Sequence, residues 1–323
     1  MPLISGSASV TRFSIVHSPE PPDFERAAFH GIAPGSEVRD AVGFVPFELG
    51  APWEVGHRRY AFRVQIDKLR PDPVAVKERL KQLVHVEQEQ TGAPFVGPKK
   101  RKRLKELAEE ELISQARPRS QIIECCMDGP LLYVGTTAKA YLGTVLQLLR
   151  QIDVVADYKA PWIDLDEPEV DGEIVETTEP GQSVLGCRFL KAVLGDRDIM
   201  VEPEAGYVRL QTREARITLT GAVLNDLRHY VKKDAELLAA KLVAGESAFR
   251  FDALSWRIGS LRIETARHEH WTDLLDERLE KVSGVYELLD RKYASLRPRP
   301  RRTESVPAEP PTSPAMSDPP PAD

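Results

Sequence analysis

Alternation of apolar and polar positions predicts several strands in the first half of the chain. The clearest lies at 60–66, where Arg63 and Gln65 separate large apolar side chains. Further predicted strands are 11–16, 121–127 and 131–134. The turn pair Asp128-Gly129 joins the last two strands as a hairpin. A short helix is expected over 23–29, a tight turn over 43–46 and a longer helix over 138–151.

Two stretches with helical spacing lie between the predicted strands at 60–66 and 121–127. The first begins after Pro71 and Pro73, and the break at 91–94 ends it. The second begins at Pro98. This pattern predicts a helical hairpin over 74–119, which is inserted between two strands of one α+β unit and projects from that unit as an arm.

The second half of the chain repeats a mixture of strand and helix patterns. Predicted strands lie at 207–210, 216–220, 249–252 and 261–265, and predicted helices at 222–242 and 272–296. The apolar stripe of the last helix indicates either a core face or a dimer contact. The expected fold class is therefore α+β, with mixed sheets.

Composition indicates where the domains divide. Residues 164–179 are rich in Asp and Glu, which is typical of a solvated linker. Residues 297–323 contain nine of the 26 prolines and form a predicted disordered tail, because they cannot bury enough apolar surface to order themselves. The other expected units are a discontinuous α+β domain (1–73 and 120–163), the inserted basic hairpin (74–119) and a second α+β domain (180–296).

The strongest charge feature is a basic cluster at the start of the second predicted hairpin helix. Its members are Lys99, Lys100, Arg101, Lys102, Arg103 and Lys105. A helix N-terminus carries about half a positive charge, so each exposed cation there costs about 0.3–1 kcal/mol. Acidic residues follow at 109–111, which reverses the charge order that the helix dipole favours. The cluster indicates a polyanionic partner, DNA or RNA first, although a merely solvated helix end remains an alternative.

The charge of the whole chain requires that such a cluster be segregated. The 323 residues include 44 Lys and Arg against 50 Asp and Glu, a net charge of −6. A nucleic-acid-binding protein with this balance must collect its cations on one surface. Because no long apolar run, cationic leader or disulfide framework is found, we expect no membrane contact and a cytoplasmic location.

Motifs for catalysis are scarce, so neither an enzyme nor a cofactor is predicted. The spacing from Gly92 to Gly97 resembles a phosphate-binding loop, but Pro98 occupies the position of the required lysine. His268 and His270 lack further metal ligands at suitable spacing. The carboxylates at 164–173 could hold Mg²⁺, as in a nuclease, although they lack the spacing of a known cation-binding loop and a solvated linker is the favoured explanation.

Several segments occur in an order that resembles the recombination-associated protein RdgC family of bacteria. They are Arg12-Phe13, Ile32 to Ser36, Gly43-Phe44-Val45-Pro46, Pro71 to Val74, the basic run Lys99 to Lys105 followed by Leu107, Arg117-Pro118-Arg119, Met127-Asp128, Tyr133-Val134 and Leu146 to Arg150. The resemblance extends closely over 10–155 and in outline over 180–296. It does not include the proline-rich tail.

The resemblance implies a ring-shaped homodimer that encircles double-stranded DNA in a basic central hole. It also implies binding without sequence preference, association with the nucleoid and antagonism of RecA-dependent recombination. The expected phosphate contacts are Lys99, Lys100, Arg101, Lys102, Arg103 and Lys105, with weaker candidates at Arg63, Arg117, Arg119, Arg209 and Arg213. Two other functions remain open at this stage: a Mg²⁺-dependent nuclease, and a protein-interaction scaffold that uses the basic tail.

The tail generates a first prediction. Truncation after Leu296 should leave the melting temperature and the oligomeric state unchanged, because a proline-rich segment contributes no core. DNA affinity should fall only modestly, through loss of Arg297, Arg299, Arg301 and Arg302. Thermal melting, light scattering and a gel shift measure the three quantities. A truncated chain that aggregates or melts several degrees lower would show that the tail packs against the fold.

Overall fold

The computed structural model describes residues 3–33, 36, 38–113, 116–167 and 174–296. The tail, the acidic residues Glu169, Asp171 and Glu173, and Pro34 and Gly35 lie outside these ranges. The strands are β1 (Ala8–His17), β2 (Asp40–Val45), β3 (Glu54–Gly56), β4 (Arg59–Leu69), β5 (Pro118–Asp128), β6 (Leu131–Val134), β7 (Val155–Tyr158), β8 (Ile199–Val201), β9 (Gly206–Gln211), β10 (Arg216–Gly221), β11 (Glu236–Ala244), β12 (Ser247–Asp252) and β13 (Arg257–Leu261). The helices are α1 (Pro73–Thr91), α2 (Pro98–Ile113), α3 (Lys139–Gln151), α4 (Pro161–Asp164), α5 (Val184–Ala192), α6 (Leu224–Val231) and α7 (Trp271–Leu296).

The described strands form one 13-stranded sheet, and the α+β class is confirmed. The main order is β10-β9-β11-β12-β13-β1-β6-β5-β4-β2, while β3 pairs with β4, β7 with β1 and β8 with β11. Every pairing between these named strands is antiparallel. The sequence pattern predicted mixed sheets, and that part of the prediction is wrong. Several neighbouring strands are joined by tight turns, which impose antiparallel pairing.

Helices α1 and α2 lie between two strands that pair along their whole length. β4 and β5 are in register from Arg59 opposite Asp128 to Leu69 opposite Pro118, so the chain leaves and returns at the same end of the pair. Asp72 begins α1, because its carboxylate accepts a hydrogen bond from the Val74 amide at 3.2 Å. Each helix packs mainly against the other.

Helix α7 packs in a core cluster that includes residues of both halves of the sheet, so its apolar stripe is a core face in this chain. Leu275, Leu279 and Val282 are buried in a cluster that includes residues of the first half and the second half. The Tyr286 hydroxyl donates a hydrogen bond to the Val10 carbonyl at 2.8 Å. This bond links α7 to β1, the strand at which the two halves meet.

The predicted helix at 222–242 is wrong in its second half. Helix α6 ends at Val231, and β11 begins at Glu236 after Asp234 takes a left-handed conformation with φ of 56°. The four residues 237–240 are all buried, so β11 lacks the alternation by which strands are recognised. A short continuous apolar run is equally compatible with a buried strand and a buried helix, and the alanines and leucines here favour a helix locally.

Two smaller predictions also need correction. The strand expected at 261–265 ends at Leu261 and begins earlier, at Arg257. The turn expected at 43–46 is largely part of β2. Gly43 serves close packing there, because a Cβ at this position would lie 2.3 Å from the Phe29 Cα.

No described helix combines the length and the apolar character that crossing a membrane requires.

The contact between α7 and β1 generates a second prediction. Tyr286→Phe should lower the free energy of unfolding by about 1–3 kcal/mol, because the buried Val10 carbonyl loses its donor in that contact. Urea denaturation monitored by fluorescence measures the change. Tyr141→Phe is the matched control, since its hydroxyl has no hydrogen-bond partner among the described residues and its loss should be nearly neutral. Equal stability losses in the two variants would contradict this account of α7.

Candidate nucleic-acid interface

The basic cluster occupies the exposed side of α2. Leu104 and Ala108 are buried and form the face that packs toward α1. At 100° per residue, Lys99, Lys102 and Arg103 project from the opposite side of the helix. All six cations of the cluster are exposed. Packing of the hairpin therefore leaves these charges accessible to a large partner.

Four of the six cations have no ion-pair partner in the part of the chain that the structure describes. Lys100 lies 3.2 Å from a Glu87 carboxylate oxygen, and Lys105 lies 3.4 Å from that of Glu109. The unpaired members are Lys99, Arg101, Lys102 and Arg103. Because these charges share the first turns of a helix, they reinforce the positive end of its dipole. The result is a concentrated positive field on an acidic protein.

One acidic residue of α2 stabilises the contact between the two helices. Glu111 lies near the other end of α2 and accepts a hydrogen bond from the Arg79 guanidinium at 2.6 Å. That hydrogen bond also holds the pKa of Glu111 below its usual value. The ion pair joins α1 to α2, so one of the acids contributes to the hairpin itself and remains ionised down to lower pH.

A second group of cations lies where β4 and β5 meet the helices. Arg119 of β5 is directly opposite Lys68 of β4, and both are exposed, as is Arg117. Like charges opposite each other in an antiparallel pair are destabilising. Lys68 was missed at the sequence level, because only the strand register identifies it as the neighbour of Arg119. Asp40 of β2 lies opposite Lys68 on its other side and offsets part of this repulsion, while Arg119 is exposed beside the pair.

Arg63 has protein partners that account for its position. Its guanidinium contacts Glu124 at 2.8 Å, donates to the Phe47 carbonyl at 2.5 Å and lies over the Phe47 ring at 4.7 Å. The side chain is only 24% exposed. A role for Arg63 in phosphate contact stays a prediction, and these contacts already explain the residue within the fold.

Arg209 and Arg213 lie far from the hairpin in the strand order. Arg209 is on β9, which five strands separate from β5, and its guanidinium pairs with Asp252 at 3.0 Å. Arg213 is exposed in the turn between β9 and β10. The predicted cations therefore lie in separate regions of the single chain and do not form one continuous patch.

The residues that the sequence offered as metal ligands or nucleophiles do not come together in the described ranges. They contain no group of three or more His, Cys, Asp or Glu side chains placed to hold a metal ion. Three of the carboxylates at 164–173 are outside the described ranges and remain untested. His268 contacts Glu277 at 2.6 Å. The three cysteines are free and buried, and burial raises the pKa of the Cys187 thiol to about 12, which disfavours the reactive thiolate.

Comparison with known proteins adds no assignment. No protein-family model matches the chain, and no curated protein matches it significantly.

Proposed function

We propose that this protein binds double-stranded DNA without sequence preference and has no catalytic role. The proposal is carried by four exposed cations at the start of α2 that have no ion-pair partner within the described ranges: Lys99, Arg101, Lys102 and Arg103. A duplex presents a phosphate about every 1.7 Å along its axis, which suits a dense cationic cluster. Lys68, Arg117 and Arg119 at the base of the hairpin extend the proposed surface.

The absence of sequence preference follows from the kind of side chain available. Flexible lysines and arginines at a helix end contact phosphates well, and phosphate contacts carry no base information. Base-specific contact requires side chains held rigidly against the edges of bases. The cluster offers many charges with few local constraints. It therefore supports affinity that depends on salt and is insensitive to sequence.

We further propose that α1 and α2 form a projecting arm of a ring-shaped homodimer, as in the RdgC family, which encircles DNA and restrains RecA-dependent recombination. This part rests mainly on the resemblance of the segment order. One feature of the hairpin supports it: Phe95, in the loop between α1 and α2, is 70% exposed. An exposed aromatic side chain at a loop tip is suited to a contact with a second copy.

The proposed interface generates a third prediction. If the cluster neutralises ~4–6 phosphates, a plot of log K against log salt should have a slope of about −4 to −5. Changing Lys99, Arg101, Lys102 and Arg103 to Gln should weaken binding and make the slope less steep by about one for each lost contact. Fluorescence anisotropy with two unrelated duplexes at several salt concentrations measures both, and the two duplexes should bind within a few-fold of each other.

A charge-matched variant is the control for that experiment. Arg188, Arg197, Arg228 and Arg267 are exposed cations of the second half of the chain, and changing all four to Gln alters the net charge equally. This control should keep most of the DNA affinity, because the effect is local. The α2 variant should remain folded, since removal of cations from a helix N-terminus stabilises by up to about 1 kcal/mol. Unchanged affinity in a folded α2 variant would refute the proposed interface.

Assembly generates a fourth prediction. Light scattering should give a mass near twice 36.1 kDa. After a salt challenge, protein should remain on relaxed closed circles longer than on linear DNA of equal length, because a ring must open to leave a circle. Phe95→Gln should shorten that retention if the loop closes the ring. A monomeric mass, or equal escape from circles and linear DNA, would reject encirclement while leaving simple DNA binding intact.

A further inference from the structure

A small cavity opens on the polar face of the second half of the sheet. Its volume is about 180 Å³, and its lining includes Thr137, Tyr207, Arg209, Arg250, Asp252 and Arg257. Buried apolar residues alternate with these along β9 and β12, so the cavity lies on the side opposite the core. None of the hairpin cations lines it. It is therefore a separate site from the proposed interface on α2.

Strand register explains why the cavity exists. Ala239 of β11 is the neighbour of Arg209 on one side and of Asp252 on the other. Asp252 is in turn opposite Arg257 of β13. The alanine side chain is too small to fill the space between its longer neighbours, and the cavity forms above it.

The side chains around this space carry a net positive charge. Asp252 accepts hydrogen bonds from Arg209 at 3.0 Å and from the Ser255 hydroxyl at 2.8 Å. Arg257 is 7% exposed, donates to the Thr137 carbonyl at 3.2 Å and pairs with Glu179 at 3.3 Å. Arg250 has no ion-pair partner among the described residues and lies over the Tyr207 ring at 3.6 Å. Three guanidinium groups thus face two carboxylates.

Hydrogen-bonding capacity is also left unused at this place. The Nε atoms of Arg209 and Arg257 are buried and have no hydrogen-bond partner in the part of the chain that the structure describes. A buried donor without an acceptor destabilises the fold, and more so where the group is charged. An anion with several acceptor oxygens supplies what these groups lack.

We propose that this cavity binds a single phosphate group, with Arg250 as its main cationic contact. The planar guanidinium fork suits the oxygens of a phosphate, and Tyr207 holds the Arg250 fork in place from one side. Two sources offer this chemistry: an internucleotide phosphate of a polynucleotide, and the phosphate of a small free compound. The polynucleotide source rests on the DNA-binding function proposed above, whereas the free source does not.

The site is tested by calorimetric titration of the full-length protein with inorganic phosphate. Saturable binding to the unmodified protein is expected. Arg250→Gln should weaken it by about tenfold or more, since a hydrogen bond to a charged group is lost. Arg250→Lys should bind phosphate with an affinity between those of the unmodified protein and of Arg250→Gln, because lysine keeps the charge and lacks the planar guanidinium. Arg216→Gln on β10, which β9 and β11 separate from the Arg250 strand, is the matched control and should bind phosphate as the unmodified protein does.

Circular dichroism establishes that each variant is folded, which is expected because the Arg250 side chain is exposed. Absence of saturable phosphate binding in the unmodified protein would overturn the proposal. So would equal binding in the unmodified protein and a folded Arg250→Gln variant. Neither result bears on DNA binding through α2, because no DNA is present in the titration.

A second measurement with duplex DNA distinguishes the two sources. If Arg250→Gln makes the slope of log K for DNA binding against log salt less steep by about one, the cavity binds an internucleotide phosphate. If DNA binding is unchanged while phosphate binding is lost, the cavity serves a small phosphate compound. Both results support the site, and they differ only in which molecule provides the phosphate.

Discussion

Strand β1 joins the two halves of the sheet, and α7 holds that strand in place. The first residues of β1 pair with β13, and its later residues pair with β6 and β7. Arg12 of β1 is 4% exposed, pairs with Asp290 of α7 at 2.7 Å and lies over the Tyr286 ring. Asp290 is 26% exposed, so its removal is the destabilising change, because the buried Arg12 charge would lose its partner. This contact anchors β1, the strand that joins the two halves, to α7.

The same helix fixes the N-terminal segment. Arg278 of α7 is buried and donates hydrogen bonds to the carbonyls of Leu3 and Gly6, while the Leu3 amide donates to Glu124 at 2.5 Å. Glu124 also pairs with Arg63. One network of charged side chains therefore ties the start of the chain, the first half of the sheet and the last helix together. The charges of this network are used within the fold. The exposed cations of α2 are not part of it and remain accessible to a partner.

The hairpin shows the opposite use of charge. Burial of Leu104 and Ala108 and the pair between Arg79 and Glu111 hold α1 and α2 together. This packing tolerates a basic helix start that costs stability by itself. An arrangement that is unfavourable for the free protein and favourable beside a polyanion is consistent with the proposed role in binding DNA. The arginines of the cavity in the second half of the sheet are likewise unfavourable in the free protein and favourable beside an anion.

The sequence by itself determined the α+β class, most strands of the first half, the last helix and the six cations of α2, because local periodicity and charge spacing are visible along the chain. Only the tertiary structure decided that β11 is a strand, since its neighbours bury it and erase the alternation. Only strand register brought Lys68 beside Arg119 and Arg209 beside Asp252. The sequence does not distinguish an arginine held in an ion-pair network, as Arg63 is, from one exposed on a helix, as Arg101 is. Its burial and its partners decide the role, and both come from contacts between distant parts of the chain.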